Sequence, residues 1–246
     1  MRLDGKTAIV TGGGSGFGAG IVRKFAAEGA RVLVADINTT AAETMASEVG
    51  GIACTVDVSD GASVAAMAKA ALDALGQVDI LVNNAGITHL PTPMEDVPED
   101  LFDRVLAVNA KSVYLTAREL VPHMKSRGTG AIVNLASTAG LSPRPNLSWY
   151  NASKGWMITA TKSMAVELAP SGVRVNALCP VAGETPLLKS FMGEDTPEMR
   201  AKFLSTIPIG RFSTPEDMGN AACYLCSDEA SMVTGVAMEV DGGRCI

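Results

Sequence analysis

The stretch TAIVTGGGSGFG, residues 7–18, leads a short apolar strand into a glycine-rich turn and then into a helix. In such a unit the unpaired backbone N–H groups and the positive end of the helix dipole face outward at the strand end, where they favour an anion. Gly12, Gly16 and Gly18 would let a phosphate approach the backbone closely. Their spacing differs from the common GxGxxG, but the strand–turn–helix context predicts a site for the pyrophosphate of a dinucleotide rather than a merely tight turn.

Short β-branched runs alternate with longer helical patterns along almost the whole chain. This alternation predicts an α/β fold, a single doubly wound domain whose mostly parallel sheet is covered on both faces. Ligands in such folds bind beyond the carboxyl ends of the strands. The predicted strands span 7–10, 31–35, 52–56, 80–83, 131–135, 174–178 and 237–240, and the predicted helices span 16–28, 40–49, 61–75, 99–125, 150–168 and 215–225.

Composition argues against several classes of partner. The chain has 246 residues, 47% of them hydrophobic, which suits one domain with a full core. Its net charge of -6 offers no electrostatic footprint for nucleic acid. No apolar run is long enough to cross a bilayer, and the first residues, Met1–Lys6, lack the apolar core of a signal peptide. We therefore expect a soluble, cytoplasmic protein without nucleic-acid or membrane partners.

The cysteines and histidines give little support for a metal or redox site. The five cysteines are scattered and odd in number, which suits reduced thiols. Cys223 and Cys226 form a CxxC, but it lies in an apolar helical stretch without a second pair of ligands, so buried thiols are favoured over a redox or zinc site. His89 and His123 are the only histidines and form no HExxH motif. No metal is expected.

Asp36 bears on the choice of cofactor. It follows the second predicted strand, about twenty residues after the last glycine of the turn, where an acidic side chain typically binds the ribose hydroxyls of the adenosine. A carboxylate there would repel the additional phosphate of NADP(H). The neighbouring Ile37 and Asn38, and Ser15 in the turn, bring no positive charge. The sequence therefore predicts NAD(H); an aspartate that only caps a turn is the alternative.

Polar residues also follow the third and fourth predicted strands. Asp57-Val58 and Asn83-Asn84-Ala85-Gly86 would lie along the same edge of the sheet as the glycine turn. Short polar side chains at this edge can hydrogen-bond adenine and hold loops without crowding a cofactor. Ordinary loop chemistry is the alternative for either group taken alone.

Tyr150 and Lys154 lie four positions apart, and so on one face of a predicted helix. A free tyrosine titrates at about 10, and an adjacent ammonium would stabilise the phenolate and lower that pKa. Ser137, at the end of the fifth strand, would donate a hydrogen bond to a substrate oxygen. Asn109 interrupts an apolar helical stretch. Each has a structural alternative when taken singly, as an amphipathic helix face, a loop hydroxyl or a helix-distorting asparagine; together they predict acid/base catalysis.

The segment Gly183–Arg211 departs from the alternating pattern. It carries Pro186, Pro197 and Pro208 among apolar and charged residues. Long insertions inside compact domains are usually binding loops or lids. We expect a substrate lid at residues 183–211, after the sixth strand, with an ordinary surface excursion as the alternative.

Together these motifs resemble the short-chain dehydrogenase/reductase family over essentially the whole chain. The resemblance rests on Thr11-Gly12-xxx-Gly16-x-Gly18, Asp57, Asn83-Asn84-Ala85-Gly86, Asn109, Ser137, Tyr150-xxx-Lys154 and Val240-Asp241-Gly242-Gly243. It implies a single Rossmann domain with a seven-stranded parallel sheet, commonly assembled as a homotetramer.

The resemblance also implies a role for each residue of a catalytic tetrad, Asn109, Ser137, Tyr150 and Lys154. Tyr150 would exchange a proton with the substrate oxygen, which Ser137 orients. Lys154 would also bind the nicotinamide ribose, and Asn109 would fix a water that relays protons. The implied cofactor-binding residues are Gly12, Ser15, Gly16, Phe17, Gly18, Asp36, Ile37, Asp57, Val58, Asn84, Ala85, Gly86, Tyr150, Lys154, Pro180, Val181 and Thr185.

One position departs from the family pattern. The family usually has glycine after the proline that follows the sixth strand, whereas Pro180 is followed here by Val181. A side chain at this position would narrow the nicotinamide pocket or shift the backbone beside it. No lysine or arginine is clearly placed by the sequence to bind a charged substrate, although Arg144 is a candidate.

The predicted function is that of an NAD(H)-dependent oxidoreductase that moves hydride between nicotinamide and a secondary alcohol or ketone. Within the family the sequence most resembles 3-oxoacyl-carrier-protein reductases and sugar or polyol dehydrogenases. Those reductases generally favour NADPH, against which Asp36 argues, so that activity is the alternative. A non-catalytic NAD-binding scaffold or sensor is an alternative of another class.

Overall fold

The computed structural model describes every residue from Met1 to Ile246. Seven strands form one parallel sheet in the order β3-β2-β1-β4-β5-β6-β7: β1 (Thr7–Thr11), β2 (Arg31–Asp36), β3 (Ile52–Thr55), β4 (Ile80–Asn83), β5 (Gly130–Leu135), β6 (Val173–Pro180) and β7 (Ala237–Val240). The helices are α1 (Gly16–Ala27), α2 (Thr39–Val49), α3 (Gly61–Leu75), α4 (Glu99–Leu106), α5 (Ser112–Arg127), α6 (Ser148–Leu168), α7 (Leu188–Met192), α8 (Pro197–Leu204) and α9 (Pro215–Cys226). None of them combines the length and apolar character needed to span a membrane. The predicted doubly wound α/β fold with a seven-stranded parallel sheet is confirmed.

The strands are apolar throughout because helices cover both faces of the sheet. Val10 pairs with Val34 of β2 and Val82 of β4, and all three belong to a core cluster with α1, α2 and α9. Ile9, one position earlier, points to the other face and packs in a cluster with α3, α5 and α6. The core therefore consists of two layers, one on each side of the sheet.

The strand order reverses between β1 and β4, which are neighbours in the sheet. The chain leaves β1 toward β2 on one side and returns through β4 to the strands on the other side. A crevice opens at the carboxyl ends of the strands at such a point, because the loops that follow the two strands diverge. The glycine turn after β1 and the loop after β4 therefore lie side by side.

The single helix predicted at 99–125 is interrupted. It ends as α4 at Leu106, forms a π-helical turn over Ala107–Lys111, and continues as α5 from Ser112. Such turns widen the helix by one residue and occur frequently at functional sites. Asn109 lies in this turn with its side chain buried, in agreement with the structural alternative of a helix-distorting asparagine.

The segment 183–211 contains two short helices, α7 and α8, that no periodic pattern predicted. Apolar residues of this segment, Leu188, Met192 and Ile207, pack with Val181 and Phe212 in a small cluster of their own. The segment thus has a separate apolar core beside the end of β6.

Helices α1 and α9 cross at close range because glycine lies at the contact in both. A Cβ on Gly20 would overlap the carbonyl of Pro215, and a Cβ on Gly219 would lie 2.7 Å from the carbonyl oxygen of Gly20. Neither position tolerates a side chain while the helices keep this distance.

We expect Gly20→Ala to destabilise the protein by about 1–3 kcal/mol, because the added methyl group forces α1 and α9 apart. Urea unfolding followed by circular dichroism measures the change. Gly61→Ala is the matched control, since its Cβ would meet only Leu115 Cδ2, at 3.5 Å, and alanine favours a helix. Equal free energies of unfolding for the two variants would contradict this account of the contact.

Candidate active site

A cavity of about 450 Å³ opens at the carboxyl edge of the sheet. Its walls come from the loops after six strands, from α6 and from the segment 183–211. Every predicted site residue lines it except Gly18 and Asn109. The predicted residues that line it are Gly12, Ser15, Gly16, Phe17, Asp36, Ile37, Asp57, Val58, Asn84, Ala85, Gly86, Ser137, Tyr150, Lys154, Pro180, Val181 and Thr185.

The glycine turn contributes two glycines to one wall of the cavity, beside the side chains of Ser15 and Phe17. Gly12 has a φ of 61°, and a Cβ there would lie 2.9 Å from Asn84 Nδ2. Gly16, with a φ of 53°, begins α1. Gly18 does not line the cavity. A Cβ at this position would overlap the carbonyl of Gly12, so the glycine allows α1 to pack closely against the turn.

Asn84 joins the end of β4 to the end of β1. Its Nδ2 donates hydrogen bonds to the carbonyls of Thr11, at 2.8 Å, and Gly12, at 3.0 Å. In return the Thr11 hydroxyl accepts from the N–H groups of Asn84 and Ala85, at 3.0 and 3.1 Å. These four bonds hold the glycine turn and the loop after β4 in a fixed relation.

Asp36 ends β2 and faces the cavity beside the turn. Its Oδ2 accepts a hydrogen bond from the Gly14 N–H at 3.0 Å, and its Oδ1 accepts one from the Asn38 N–H at 2.9 Å. A carboxylate offers about four acceptor positions, so capacity remains for the hydroxyls of a ribose. The carboxylate both stabilises the turn and presents negative charge to the cavity.

Asp57 and Val58 lie just beyond β3, which ends at Thr55. The Asp57 Oδ1 accepts hydrogen bonds from the N–H and the hydroxyl of Ser59. These bonds hold the pKa of Asp57 below its usual range, and the charge of Arg104 adds to the effect. Arg104 also lines the cavity, but α4 carries no motif from which this position could be predicted.

The donors and acceptors of this half of the cavity fit a dinucleotide such as NAD. Gly12 and Gly16 leave the backbone of the turn open to a pyrophosphate, and α1 begins at Gly16 with its first N–H groups unpaired within the helix. An additional phosphate on the adenosine ribose would meet the negative charge of Asp36. The electrostatics therefore suit NAD(H) better than NADP(H).

Tyr150 and Lys154 lie on the buried face of α6, which begins at Ser148. The Tyr150 ring is 5.2 Å from the ring of Phe191, and Lys154 Nζ lies 5.8 Å from the centroid of the Tyr150 ring. Lys154 Nζ donates a hydrogen bond to the carbonyl of Leu135 at 2.7 Å. The ammonium is thus held near the phenol by the end of β5.

Burial dominates the titration of both groups. It raises the pKa of Tyr150 to about 12, although the nearby Ser137 hydroxyl opposes the rise, and it lowers the pKa of Lys154 to about 8. The expected lowering of the tyrosine pKa by Lys154 is absent: burial dominates the pKa of Tyr150, and the Lys154 ammonium lies 5.8 Å from the ring centroid. Tyr150 is a neutral phenol at neutral pH, which is the form that donates a proton.

Asn109 acts on the site through its neighbours. Its Oδ1 accepts from the N–H of Ile87 and its Nδ2 donates to the carbonyl of the same residue, both at 2.9 Å. Nδ2 also donates to Ser153 Oγ at 3.0 Å. The structure therefore brings Ser137, Tyr150 and Lys154 to the cavity, whereas Asn109 ties the loop after β4 to α6.

The segment 183–211 packs directly against this end of the cavity. Leu187, Phe191 and Phe203 line it. Val181 is buried and packs with the apolar residues of α7, so the side chain that departs from the family pattern supports this segment. Sequence analysis missed Phe191 and Phe203, because single aromatic residues in a segment without periodicity carry no signal.

Comparison with known proteins identifies the family. The sequence model of a family described as Enoyl-(Acyl carrier protein) reductase matches residues 12–244. A 4-formylbenzenesulfonate dehydrogenase, TsaC1/TsaC2, of Comamonas testosteroni is 51% identical over 254 residues, and the match covers 100% of both chains. The chain belongs to the short-chain dehydrogenase/reductase family.

Two further proteins resemble this short-chain dehydrogenase/reductase closely. A 2-dehydro-3-deoxy-L-rhamnonate dehydrogenase (NAD(+)) of Sphingomonas sp. (strain SKA58) is 41% identical, with 99% of this chain and 96% of that protein covered. The crystal structure of 3-ketoacyl-(acyl-carrier-protein) reductase from Brucella melitensis complexed with NADH superposes with a TM-score of 0.95 at 50% identity, covering 99% of this chain and 100% of that one. The resemblance drawn from the motifs is confirmed.

Outside the cavity, the side chains of Glu239, Asp241 and Cys245 place one potential metal ligand each within 4.8 Å of the others. The Asp241 carboxylate already accepts hydrogen bonds from two backbone N–H groups of the following turn. Burial raises the pKa of Cys245 to about 11. Cys223 and Cys226 are free thiols packed in the core.

The lowered pKa of Lys154 predicts a pH-dependent contribution to stability. Between pH 8 and pH 10.5 the unfolded chain holds a proton on this lysine that the folded protein has released, so the free energy of unfolding rises with pH in that window. Relative to Lys154→Met, we expect the wild type to gain about 3 kcal/mol across it. Urea unfolding of both proteins over this pH range measures the difference between their free energies of unfolding. A difference that does not vary with pH would refute the lowered pKa of Lys154.

Proposed function

We propose that this protein catalyses hydride transfer between NAD(H) and a secondary alcohol or ketone, with Ser137, Tyr150 and Lys154 as its catalytic side chains. The observation that carries the proposal is that these side chains line one cavity together with the glycine turn and Asp36. The names of the relatives support the reaction and the cofactor: they are dehydrogenases and a reductase, one of them named for NAD(+) and one complexed with NADH. The chain is accordingly an NAD-dependent oxidoreductase.

Oxidation of an alcohol breaks two bonds. The carbon-bound hydrogen leaves with both electrons as hydride, for which bound NAD⁺ supplies the acceptor, and the hydroxyl proton passes to the ionised Oη of Tyr150. In reduction, the carbonyl carbon takes up the hydride that the reduced cofactor would supply, while the neutral Tyr150 Oη donates its proton to the carbonyl oxygen. Burial raises the pKa of Tyr150 and so favours the neutral phenol, which is the form that the reduction requires.

Ser137 and Lys154 support the proton transfer in different ways. Ser137 Oγ accepts a hydrogen bond from the Ala139 N–H at 3.0 Å, which leaves its own O–H to donate to the substrate oxygen. Lys154, with a pKa of about 8, is charged at neutral pH and stabilises the phenolate when it forms. Asn109 is a positioning residue, because it holds α6 through Ser153.

The cofactor would lie along the remaining lining residues. We assign the adenosine to Asp36, Ile37, Asp57 and Val58, and the pyrophosphate to the glycine turn; Gly18 shapes that turn from behind. The nicotinamide half is assigned to Tyr150 and Lys154 together with the residues that follow β4 and β6, namely Asn84, Ala85, Gly86, Pro180, Val181 and Thr185.

The segment 183–211 is assigned as a substrate lid, because Phe191 and Phe203 project from it into the lining of the cavity. A homotetramer and a cytoplasmic location are also proposed. Exposed apolar side chains on α5 and α6, Tyr114 and Trp156, support assembly, and the free cysteines support a reducing compartment.

Two alternatives lead to different experiments. A 3-oxoacyl-carrier-protein reductase is supported by the name of the neighbour with 50% identity, but that name does not carry the activity to this chain. A non-catalytic NAD sensor needs no acid/base group, and the convergence of Ser137, Tyr150 and Lys154 on one cavity argues against it.

Tyr150→Phe tests the acid/base role. We expect kcat/KM to fall at least about a hundredfold, because the proton donor is lost while the ring remains. Absorbance of NADH measures turnover, and fluorescence measures NADH binding, which should persist. Tyr224→Phe is the control, since Tyr224 lies outside the cavity beside Arg2. Turnover unaffected by the loss of the Tyr150 hydroxyl would remove the assignment.

Asp36→Ala and Asp36→Asn test cofactor choice. Both remove the negative charge, and asparagine keeps an acceptor for the Gly14 N–H. We expect the preference for NADH over NADPH to fall at least about tenfold in both variants. Dissociation constants from fluorescence titration give the ratio. An unchanged ratio would mean that the adenosine ribose lies elsewhere.

A further inference from the structure

The charged side chains of the cavity differ in what neutralises or holds them. Those that line it are Asp36, Asp57, Arg104, Arg144 and Lys154. Arg104 acts on Asp57, and Lys154 is bonded to a backbone carbonyl of β5. Arg144 takes part in none of the ion pairs of the protein. It is therefore a cation of the cavity wall without a carboxylate partner.

The surroundings of Arg144 make this lack of a partner unfavourable. Its guanidinium carbon lies 4.7 Å from the centroid of the Phe203 ring. Burial lowers the pKa of Arg144, and the like charge of Arg244 lowers it further. Arg244 itself has a buried Nε without a hydrogen-bond partner. Two neighbouring guanidinium groups with no acidic partner create a region of positive charge. Because Arg144 is partly removed from water, a hydrogen-bonded anion would stabilise it more strongly than it would a fully hydrated cation.

This positive region adjoins the reacting end of the cavity. Tyr150 packs with Ala139 and Leu147, which flank Arg144 in sequence and line the same cavity. On the other side the ring of Phe191 meets the ring of Tyr150. A molecule with its oxygen at Tyr150 would therefore lie between apolar walls in a cavity that Arg144 and its stacking partner Phe203 also line.

We propose that Arg144 binds a carboxylate or sulfonate of the substrate, so that this enzyme acts on anionic alcohols or ketones with an apolar body. The inference rests on the proposed function, because it places the anion relative to Tyr150. The planar guanidinium matches the two oxygens of such a group and forms a pair of parallel hydrogen bonds with them. Leu147, Phe191 and Phe203 provide the apolar walls.

A purely structural role for Arg144 would be to hold the lid through its contact with Phe203. Arg200 provides the matched control for that role. Its guanidinium carbon lies 5.9 Å from the ring of Phe212, another aromatic residue that packs with the lid. It differs in being paired with Asp195 and in not lining the cavity.

The test compares pairs of aromatic ketones that differ in charge: acetylbenzoate with acetylbenzamide, and acetylbenzenesulfonate with acetylbenzenesulfonamide. For the wild type we expect kcat/KM to be at least about tenfold higher for the anion of each pair. In Arg144→Met this ratio should fall to about one, and in Arg144→Lys it should be intermediate because the charge remains without the fork. Arg200→Met should keep the wild-type ratio.

A binding measurement separates this inference from the reaction itself. Calorimetric titration of the NADH-loaded protein with benzenesulfonate and benzenesulfonamide should show an anion preference that Arg144→Met loses. If binding depends on Arg144 but no ketone is reduced, the anion site stands and the proposed reaction fails. Three results would each overturn the inference: a wild type that does not prefer the anion, an anion preference that Arg144→Met retains, or a loss of that preference in Arg200→Met equal to the loss in Arg144→Met. None of them would affect the turnover of neutral ketones, on which the proposed function depends.

Discussion

The side chain of Asn84 joins the two strand ends on which the whole site depends. Its amide donates to the backbone of the glycine turn, and the Thr11 hydroxyl accepts from the backbone after β4. The strand order reverses between β1 and β4, so the loops that follow these strands diverge. Beyond the last backbone pair of β1 and β4, the sheet itself does not hold the two loops together. The hydrogen bonds supply that connection, and they do so without filling the crevice where a cofactor would lie.

A second constraint is the exclusion of water from the catalytic end. Burial raises the pKa of Tyr150 and lowers that of Lys154, so it favours the neutral form of both. Both shifts fit the reaction that we propose. A neutral phenol is ready to protonate a carbonyl oxygen, and an ammonium with little hydration interacts more strongly with the phenolate that this transfer leaves behind. The carbonyl of Leu135 keeps the ammonium in place.

In the proposed function, substrate selection falls to parts of the chain other than those that carry the proposed catalytic residues. The phenol and the ammonium are presented by α6, whereas the apolar and cationic surfaces near them come from residues 139–147 and from the segment 183–211. Val181 stabilises this segment by packing into its apolar cluster. Such a division lets the proton-transfer groups stay the same while the surrounding loops set which alcohol or ketone is accepted.

The sequence alone determined the features that depend on contiguous residues: the strand positions, the glycine turn, the placement of Asp36 at the end of β2, and the juxtaposition of Tyr150 with Lys154. Each follows from a short-range period or spacing that the backbone geometry imposes. Only the tertiary structure decided the remaining features. Gly18 packs behind the turn, and Asn109 lies in a π-helical turn and donates a hydrogen bond to Ser153. Burial raises the pKa of Tyr150, and Arg144 contacts Phe203 at the cavity. These depend on burial and on contacts between distant segments, and no local pattern records which segments the folded chain brings together.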